Sequence, residues 1–266
     1  MKKRIIKWIK ILLLIYIITG IGFYLLQDMI LFHPVSLKPG YKYNFKQPHR
    51  DINMKLDSVS NLNVIEFTTG DSARGVVLYF HGNKKNIGWY AKYADNFTKQ
   101  GYEVWMIDYP GYGKSTGRFT EEDLYRYAEA LYQMARTGFA SDSIIIYGKS
   151  MGTGIAAELA STHLCKQLIL ETPYYSFTEL GKHYLPIYPV EKMLHYKMPT
   201  YHFLADIKVP VTIFHGTNDW IIPYSNAIKL KPILKSTDEF ITIDGGSHND
   251  LNNYPLFHQK LDSLLK

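Results

Sequence analysis

The pentapeptide Gly148-Lys149-Ser150-Met151-Gly152 constrains the fold of this 266-residue chain more than any other feature. It follows the apolar stretch SIIIY, which predicts a buried strand, and precedes GTGIAAELA, which predicts a helix. A G-x-S-x-G sequence in that context predicts a sharp turn that holds the serine in a strained backbone conformation. The flanking glycines would let the strand and the helix pack closely. We therefore predict that Ser150 is a nucleophile, assisted by backbone N–H groups at the helix N-terminus.

The rest of the chain alternates between strand and helix patterns. Solidly apolar strands such as VVLYF must be covered on both faces, so they predict an α/β fold with a mostly parallel central sheet flanked by helices. The predicted strands are INMKL, NLNVIEF, GVVLYF, YEVWMID, SIIIYG, KQLILE, VPVTIFHG and EFITIDG. The predicted helices are NIGWYAKYADNFTKQ, EEDLYRYAEALYQMARTG, MGTGIAAELASTH, YSNAIKLKPIL and LFHQKLDSLLK. We expect one catalytic domain at 51–266, with a short cap insertion rich in Tyr, His and Pro at 174–204.

A basic and then apolar N-terminus predicts a membrane anchor. No charged residue occurs from Ile11 to Gln27, and the apolar run is close to the roughly 20 residues that span a bilayer. Because basic flanks stay in the cytoplasm, residues 1–32 are predicted to form an uncleaved signal-anchor helix, with the catalytic domain extracytoplasmic. Residues 33–50 would then be a juxtamembrane linker. A cleaved signal peptide and a buried core helix are the alternatives, but no A-x-A-like cleavage site follows the run.

The distribution of charge argues against nucleic-acid binding. The formal net charge is +6, and five of these charges come from the residues before the apolar run, which are Lys2, Lys3, Arg4, Lys7 and Lys10. The nearly neutral remainder has no basic footprint for phosphate backbones. No H-E-x-x-H or paired-Cys spacing indicates a metal site, and no cofactor is expected. The lone Cys165 permits no intramolecular disulfide.

An acid and a base that would activate Ser150 are predicted at the ends of two later strands. A serine hydroxyl needs a general base, and the order along a chain of this kind is Ser, acid, His. Asp219 follows VPVTIFHG and His248 follows EFITIDG, so both side chains would lie at the carboxyl edge of the sheet. His248 would take the proton from the serine, and Asp219 would orient the imidazole.

Several other residues compete for these two roles. We expect His215 to be structural, because it lies within a strand end. Asp244 lies one strand end away from Asp219, and Asp250 follows His248 too closely to orient it. The remaining candidates lie in the cap, where a histidine is usually exposed or lines a pocket; they are His183, His195 and His202.

An oxyanion hole and an acyl pocket are also predicted. Two backbone N–H donors must point at the developing negative charge, and losing one costs roughly 3–4 kcal/mol. Met151, directly after the nucleophile, would supply one. Asn83 would supply the other, because it follows the turn His81-Gly82 after the strand GVVLYF. Four cap tyrosines are predicted to line an acyl pocket: Tyr174, Tyr175, Tyr184 and Tyr188.

Five blocks, in this order, resemble the Bem46-type membrane-anchored branch of the α/β-hydrolases: YFHGN, DYPGYGKSTG, GKSMGTG, HGTND and GGSHND. The FHP that follows the N-terminal anchor is also similar to that group. The resemblance implies the α/β-hydrolase fold, a triad of Ser150, Asp219 and His248, and acyl hydrolysis without a cofactor. Related branches include palmitoyl thioesterases and enzymes classed as peptidases, so the resemblance does not fix a substrate.

The expected function is hydrolysis of a carboxylic ester or thioester through an acyl-enzyme, on a small-molecule or lipid-like acyl substrate. One alternative is a serine peptidase or aminopeptidase of the same fold, which would use the same triad. Another is a non-catalytic membrane-tethered binding protein. Such proteins typically lose a triad residue or a glycine beside the nucleophile, and all of these residues are present here.

Overall fold

An eight-stranded sheet forms the centre of the molecule in the computed structural model, which describes residues 1–70 and 72–266. The strands are β1 (His33–Pro34), β2 (His49–Lys55), β3 (Asn61–Phe67), β4 (Gly75–Phe80), β5 (Lys84–Lys85), β6 (Tyr102–Ile107), β7 (Ile144–Lys149), β8 (Gln167–Glu171), β9 (Val211–Gly216) and β10 (Glu239–Ile243). The central order is β10-β9-β8-β7-β4-β6-β3-β2, and β1 pairs with β5 separately. Only β3 runs antiparallel to its neighbours β2 and β6. All eight predicted strands are present, which confirms the mostly parallel sheet.

Helices cover both faces of this sheet. The α-helices of the described residues are α1 (Lys2–Leu31), which is largely exposed, and α2 (Ile87–Tyr90), α3 (Asp95–Thr98), α4 (Glu121–Arg136), α5 (Gly152–Thr162), α6 (Phe177–Tyr184), α7 (Val190–Met193), α8 (Thr200–Asp206), α9 (Tyr224–Ala227) and α10 (Pro255–Leu264). Alternate residues of β4 separate the two layers, as the strand period of two requires. Val76 and Leu78 pack with α4 and α5, whereas Val77 and Tyr79 pack with α2, α3 and α10.

Two of the predicted helices are interrupted. The segment from Asn86 to Gln100 forms α2, a 3₁₀ turn and α3 rather than one helix. The segment after Pro223 forms α9 and then a 3₁₀ helix at Ile228–Ile233 that contains Pro232. Proline has no N–H to continue α-helical hydrogen bonding, which accounts for the second interruption.

The predicted linker, residues 33–50, packs on the hydrolase body. β1 pairs in parallel with β5, and the Leu37 N–H donates to the Gly113 carbonyl at 2.6 Å. Tyr43 is buried, and its hydroxyl lies 3.2 Å from Asp108 Oδ2. The last two residues of the segment already belong to β2. Backbone pairing and the buried Tyr43 ring therefore hold this segment against the body.

Helix α1 is long and apolar enough to cross a membrane by length and composition, with 30 residues. Most of its apolar side chains are exposed, and Gln27 is its one buried residue among those that the structure describes. An exposed apolar surface of this extent has no counterpart elsewhere on the described molecule and is typical of a membrane-contacting helix.

The start of α5 packs so closely on the end of β4 that a side chain at residue 152 has no room. A Cβ atom on Gly152 would overlap the Phe80 carbonyl and lie 2.8 Å from the His81 carbonyl oxygen. Both obstacles are backbone atoms, which cannot rotate away as a side chain could. This contact therefore sets the separation between the helix and the sheet.

We expect Gly152→Ala to destabilise the protein by at least about 2 kcal/mol, because the added methyl forces α5 away from β4. Gly138→Ala is the matched control, since a Cβ at residue 138 would meet no atom within 4 Å. Urea unfolding of the detergent-solubilised proteins measures both. Equal stability of the two variants would contradict the close packing.

Candidate active site

Ser150 lies at the turn between β7 and α5 in the strained conformation that the motif predicts. Its φ is +53°, in the left-handed region that a non-glycine residue adopts at a cost of about 1–3 kcal/mol. The Ser150 N–H donates to the Glu171 carbonyl at 2.9 Å, which fastens the turn to β8. A Cβ on Gly148 would lie 2.7 Å from Thr153 Cα, so this glycine is needed where the helix passes over the strand.

The loops after β9 and β10 bring Asp219 and His248 to this serine. His248 Nε2 lies 2.8 Å from Ser150 Oγ, and His248 Nδ1 lies 2.7 Å from Asp219 Oδ2. The other carboxylate oxygen, Asp219 Oδ1, accepts hydrogen bonds from the N–H groups of Ile221 at 2.9 Å and Ile222 at 2.8 Å. All three residues are buried, with 5–7% of their surface exposed. The three predicted residues thus form one continuous hydrogen-bonded chain.

Opposing effects set the pKa of Asp219. Burial raises it, whereas the hydrogen bond and charge of His248, the Ile222 N–H and the charge of His215 lower it. The net pKa lies below the usual value, so the carboxylate stays ionised. An ionised carboxylate at this point can hold a proton on His248 Nδ1 and leave Nε2 free to accept from the serine hydroxyl.

The competing residues do not belong to the hydrogen-bonded chain of Ser150, His248 and Asp219. His215 is fully buried, its Nδ1 lies 3.1 Å from the Gly216 carbonyl, and its Nε2 is 3.6 Å from Asp219 Oδ2. Burial lowers the pKa of His215 and favours its neutral form. Asp244 accepts from the Thr217 hydroxyl, and Asp250 accepts from the Ser247 N–H. The cap histidines are exposed: His183, His195 and His202.

The loop after β4 lies beside the serine. A Cβ on Gly82 would be 3.4 Å from Ser150 Cβ, so glycine permits this approach. The N–H groups of Asn83 and Met151 donate to no acceptor within residues 1–70 and 72–266. Two unused backbone donors next to a serine hydroxyl are the elements of an oxyanion hole.

A buried histidine controls how this loop presents Asn83. His81 Nδ1 lies 2.7 Å from the Gly82 carbonyl, and its Nε2 lies 3.2 Å from Asp108 Oδ1. The Gly82 carbonyl and the Asn83 N–H belong to one planar trans peptide and point in opposite directions. A contact on the carbonyl therefore orients the N–H. Sequence analysis predicted only a turn at His81. The His-Gly pair directly after an apolar strand could have indicated that this histidine orients the loop.

The end of α1 holds the same loop from outside. Asn83 Nδ2 donates to the Leu31 carbonyl at 2.5 Å, and the Asn83 carbonyl accepts from the His33 N–H at 2.9 Å. The Tyr112 hydroxyl donates to that carbonyl at 2.7 Å. The residues that follow the apolar helix are thus connected directly to the candidate oxyanion donor.

A buried ion pair lies behind the serine turn. Lys149 Nζ pairs with Glu171 Oε1, and the Tyr147 hydroxyl donates to Glu171 Oε2. The Lys149 ammonium also lies 5.6 Å from the centre of the Tyr93 ring, within cation–π range. Burial and the Glu171 charge raise the pKa of Tyr147, which therefore remains a donor. Sequence analysis did not predict this cluster. A lysine at the end of an otherwise apolar strand could have indicated a buried acidic partner.

The four cap tyrosines occupy different environments. Tyr174 is fully buried, with its hydroxyl 3.1 Å from the Met151 carbonyl. Tyr175 stacks on Tyr201 at 4.5 Å between ring centres. The Tyr184 hydroxyl contacts the loop that carries Asp219, while Tyr188 packs on α1. The prediction that these tyrosines line one acyl pocket stays a prediction.

Comparison with known sequences identifies the family. The profile of the family described as serine aminopeptidase, S33 (Hydrolase_4) matches residues 71–204, half of the chain. The chain belongs to this family of α/β-hydrolases. The α/β-hydrolase resemblance is confirmed, and its Bem46-type character is consistent with the relatives.

Relatives that match this chain are named as α/β-hydrolase domain-containing proteins. α/β-Hydrolase domain-containing protein 17C of Xenopus tropicalis is 29% identical over 198 residues, 73% of this chain and 62% of the relative. Protein 17B of Homo sapiens is 29% identical over 199 residues, 73% of this chain and 67% of the relative. This α/β-hydrolase spans less than two thirds of the length of the 17C relatives that it matches.

Solved structures show the same α/β-hydrolase fold. Est1E of Butyrivibrio proteoclasticus with bound ferulic acid superposes with a TM-score of 0.65 at 17% identity, over 80% of this chain and 97% of that one. An esterase of Pyrococcus furiosus superposes with a TM-score of 0.68 at 15% identity, over 88% and 97%. At these identities, the likeness establishes the fold alone.

The lowered pKa of Asp219 predicts a pH-dependent contribution to stability. A carboxyl whose pKa is lower in the folded state stabilises the fold above its unfolded pKa of roughly 3.9, and this stabilisation is lost as the pH falls through the folded value. The difference in unfolding free energy between wild type and Asp219→Asn should shrink as the pH falls below 4. Exposed Asp244→Asn is the control, and urea unfolding at each pH is the measurement. A difference that stays constant to pH 3 would count against it.

The buried ion pair predicts non-additive effects of mutation. Lys149→Met should destabilise the protein by about 3–5 kcal/mol, because the Glu171 carboxylate loses its buried counter-charge. Adding Glu171→Gln removes that charge and should restore a large part of the loss. Urea unfolding of wild type, both single variants and the double variant gives the coupling energy. A double variant less stable than Lys149→Met would refute the pairing.

Proposed function

We propose that this chain is a serine hydrolase that cleaves carboxylic ester or thioester bonds through an acyl-enzyme intermediate. The observation that carries the proposal is the hydrogen-bonded chain from Ser150 through His248 to Asp219, with distances of 2.8 and 2.7 Å. The strained serine and the two unused N–H donors beside it support the same chemistry. The superposable proteins include esterases, which adds support for ester bonds, although those structures share the fold alone.

The proposed reaction has two halves. Ser150 Oγ attacks the acyl carbon while His248 Nε2 takes the hydroxyl proton, and the new imidazolium is stabilised by Asp219. The N–H groups of Asn83 and Met151 hold the oxyanion, which collapses as His248 returns the proton to the departing alcohol or thiol. Water then repeats the sequence on the acyl-serine, releases the carboxylic acid and restores the serine. No cofactor takes part.

We further propose that α1 tethers the enzyme to a membrane. Residues 1–32 would form the anchor, 33–50 a segment packed on the body, and 51–266 the catalytic domain with its cap at 174–204. Because the basic residues precede the apolar run, the N-terminus is proposed to be cytoplasmic and the catalytic domain extracytoplasmic. The exposed apolar surface of α1 supports insertion.

A peptidase is the second candidate, favoured by the description of the matching family as serine aminopeptidase. An amide would be cleaved by the same triad, with His248 protonating the leaving amine. The intact serine turn and the short contacts of His248 argue against a non-catalytic binding protein. Substrate preference, rather than site geometry, separates the two enzyme candidates.

A fluorophosphonate probe tests the nucleophile. Wild type should be labelled and Ser150→Ala should not, because the probe phosphonylates an activated serine. Ser247→Ala, which removes the hydroxyl of the residue directly before His248, is the matched control and should be labelled like wild type. Labelling that survives Ser150→Ala would place the nucleophile elsewhere, and failure of folded wild type to react would favour a binding protein.

A panel of acyl esters, thioesters and aminoacyl amides then separates the two enzyme candidates. We expect turnover of esters or thioesters to exceed that of amides. Faster cleavage of amides would instead assign the peptidase. The Ser150→Ala protein gives the background rate for each substrate.

A further inference from the structure

The cap packs directly against the apolar helix. The Tyr16 and Tyr188 rings stack at 4.6 Å between centres. The Tyr16 hydroxyl donates to the Ile187 carbonyl, and the Tyr188 hydroxyl donates to the Tyr16 carbonyl. Gly20 permits this approach, since a Cβ there would lie 2.9 Å from the Tyr188 ring. Further along, Gln27 donates to the Met193 carbonyl and accepts from the His195 N–H. The contact thus extends along three turns of α1.

These contacts fall inside the part of α1 that would lie in a bilayer. Tyr16 and Gly20 belong to the charge-free run that ends at Gln27. At 1.5 Å per residue, Gly20 is about 12 Å along the helix from Asp28, the first charge after the run. In a hydrocarbon layer about 30 Å thick, a side chain that touches Gly20 is below the headgroups. If α1 crosses a membrane, the part of the cap that contacts it must enter the hydrocarbon layer as well.

The part of the cap beside α1 has the composition of a membrane-inserted segment. Residues 184–189, here called the cap tip, read YLPIYP and contain no charge. Ile187 is 70% exposed and points away from the body despite being fully apolar. Charged residues begin immediately outside the tip, at Lys182 and Glu191, which form an ion pair with each other. Apolar residues flanked by tyrosine and then by charge match the order from acyl chains to headgroups.

The cap tip contacts the loop that carries Asp219. The Tyr184 hydroxyl donates to the carbonyls of Trp220 at 2.8 Å and Ile221 at 3.0 Å. Trp220 is 86% exposed and Ile221 is 45% exposed. Two exposed apolar side chains next to Asp219 have no role in the triad geometry. Together with the cap tip, they extend the apolar surface of α1 to the candidate active site.

We propose that the cap tip and the loop at 219–221 rest in the lipid bilayer, below the headgroups. This membrane face would hold the Ser150 site against the lipid surface, so that an acyl chain embedded in the bilayer reaches the serine without leaving the membrane. The proposal rests on the proposed insertion of α1. A bilayer is the favoured partner because the face is continuous with the apolar helix, and tryptophan and tyrosine are the residues enriched at membrane interfaces.

Spin labels on the full-length protein in phospholipid nanodiscs test the membrane face. Cys165 is buried, so a Cys165→Ala background leaves one reactive thiol in each variant. Ile187→Cys and Trp220→Cys probe the face, Leu13→Cys on α1 is the lipid reference, and Val59→Cys is the exposed water reference. Collisions with oxygen and with a water-soluble nickel chelate report the environment of each label. Labels at 187 and 220 should favour oxygen, as the label at 13 does, while the label at 59 favours nickel.

Any other result of the spin-label experiment contradicts a specific part of the proposal. If 187 and 220 behave like 59 while 13 is in lipid, α1 inserts but the membrane face is refuted. If 13 also behaves like 59, the proposed anchor fails and the membrane face fails with it. Fluorophosphonate labelling of the unmodified wild type in the same nanodiscs decides the hydrolase proposal separately, because it depends on Ser150 and not on lipid contact.

A charge on the cap tip provides a functional test. Ile187→Glu should lower turnover of a long-chain ester embedded in vesicles about tenfold or more, because a carboxylate is costly to place in lipid. Turnover of a short, water-soluble acyl ester should be unchanged. Leu164→Glu, at a comparably exposed leucine away from α1, is the control and should affect neither substrate. Equal losses on both substrates, or none on the embedded ester, would contradict the proposal.

Discussion

The crossing of α5 over the ends of β4 and β7 is the contact on which the rest of the site depends. Gly148 and Gly152 let backbone meet backbone there, and a Cβ at either residue would overlap the other element. This close approach forces Ser150 into its left-handed conformation at the carboxyl edge of the sheet. The strain is tolerated because the flanking strand and helix are each embedded in the core and cannot relax independently.

Buried charge supports that turn from behind. Lys149 and Glu171 compensate each other's charge in the apolar interior, and the backbone carbonyl of the same glutamate accepts from the Ser150 N–H. On the other side of the serine, Asp108 holds His81 against the Gly82 peptide. Burying either pair, Lys149–Glu171 or His81–Asp108, costs desolvation free energy, but the contacts are strongly directional once they form. The site is therefore oriented by polar contacts within a framework that hydrophobic packing stabilises.

The apolar helix and the hydrolase body form one connected structure. The end of α1 contacts the loop after β4 through Leu31 and Asn83, while its middle contacts the cap through Tyr16 and Tyr188. Residues 33–50 fill the space between these contacts and the sheet. A helix attached at several points fixes the orientation of the site relative to it, whereas a free linker would allow rotation.

Local sequence patterns determined the eight strands, the helix at α4 and the serine turn, because apolar periodicity and glycine spacing act over a few residues. The order Ser, Asp, His along the strand ends also predicted which side chains would meet at Ser150. Only the tertiary structure decided the pairs His81–Asp108 and Lys149–Glu171, the packing of residues 33–50 and the docking of Tyr188 on α1. Those contacts join residues far apart in the chain, and no local pattern specifies a partner that is chosen by how the helices and loops fold back on the sheet.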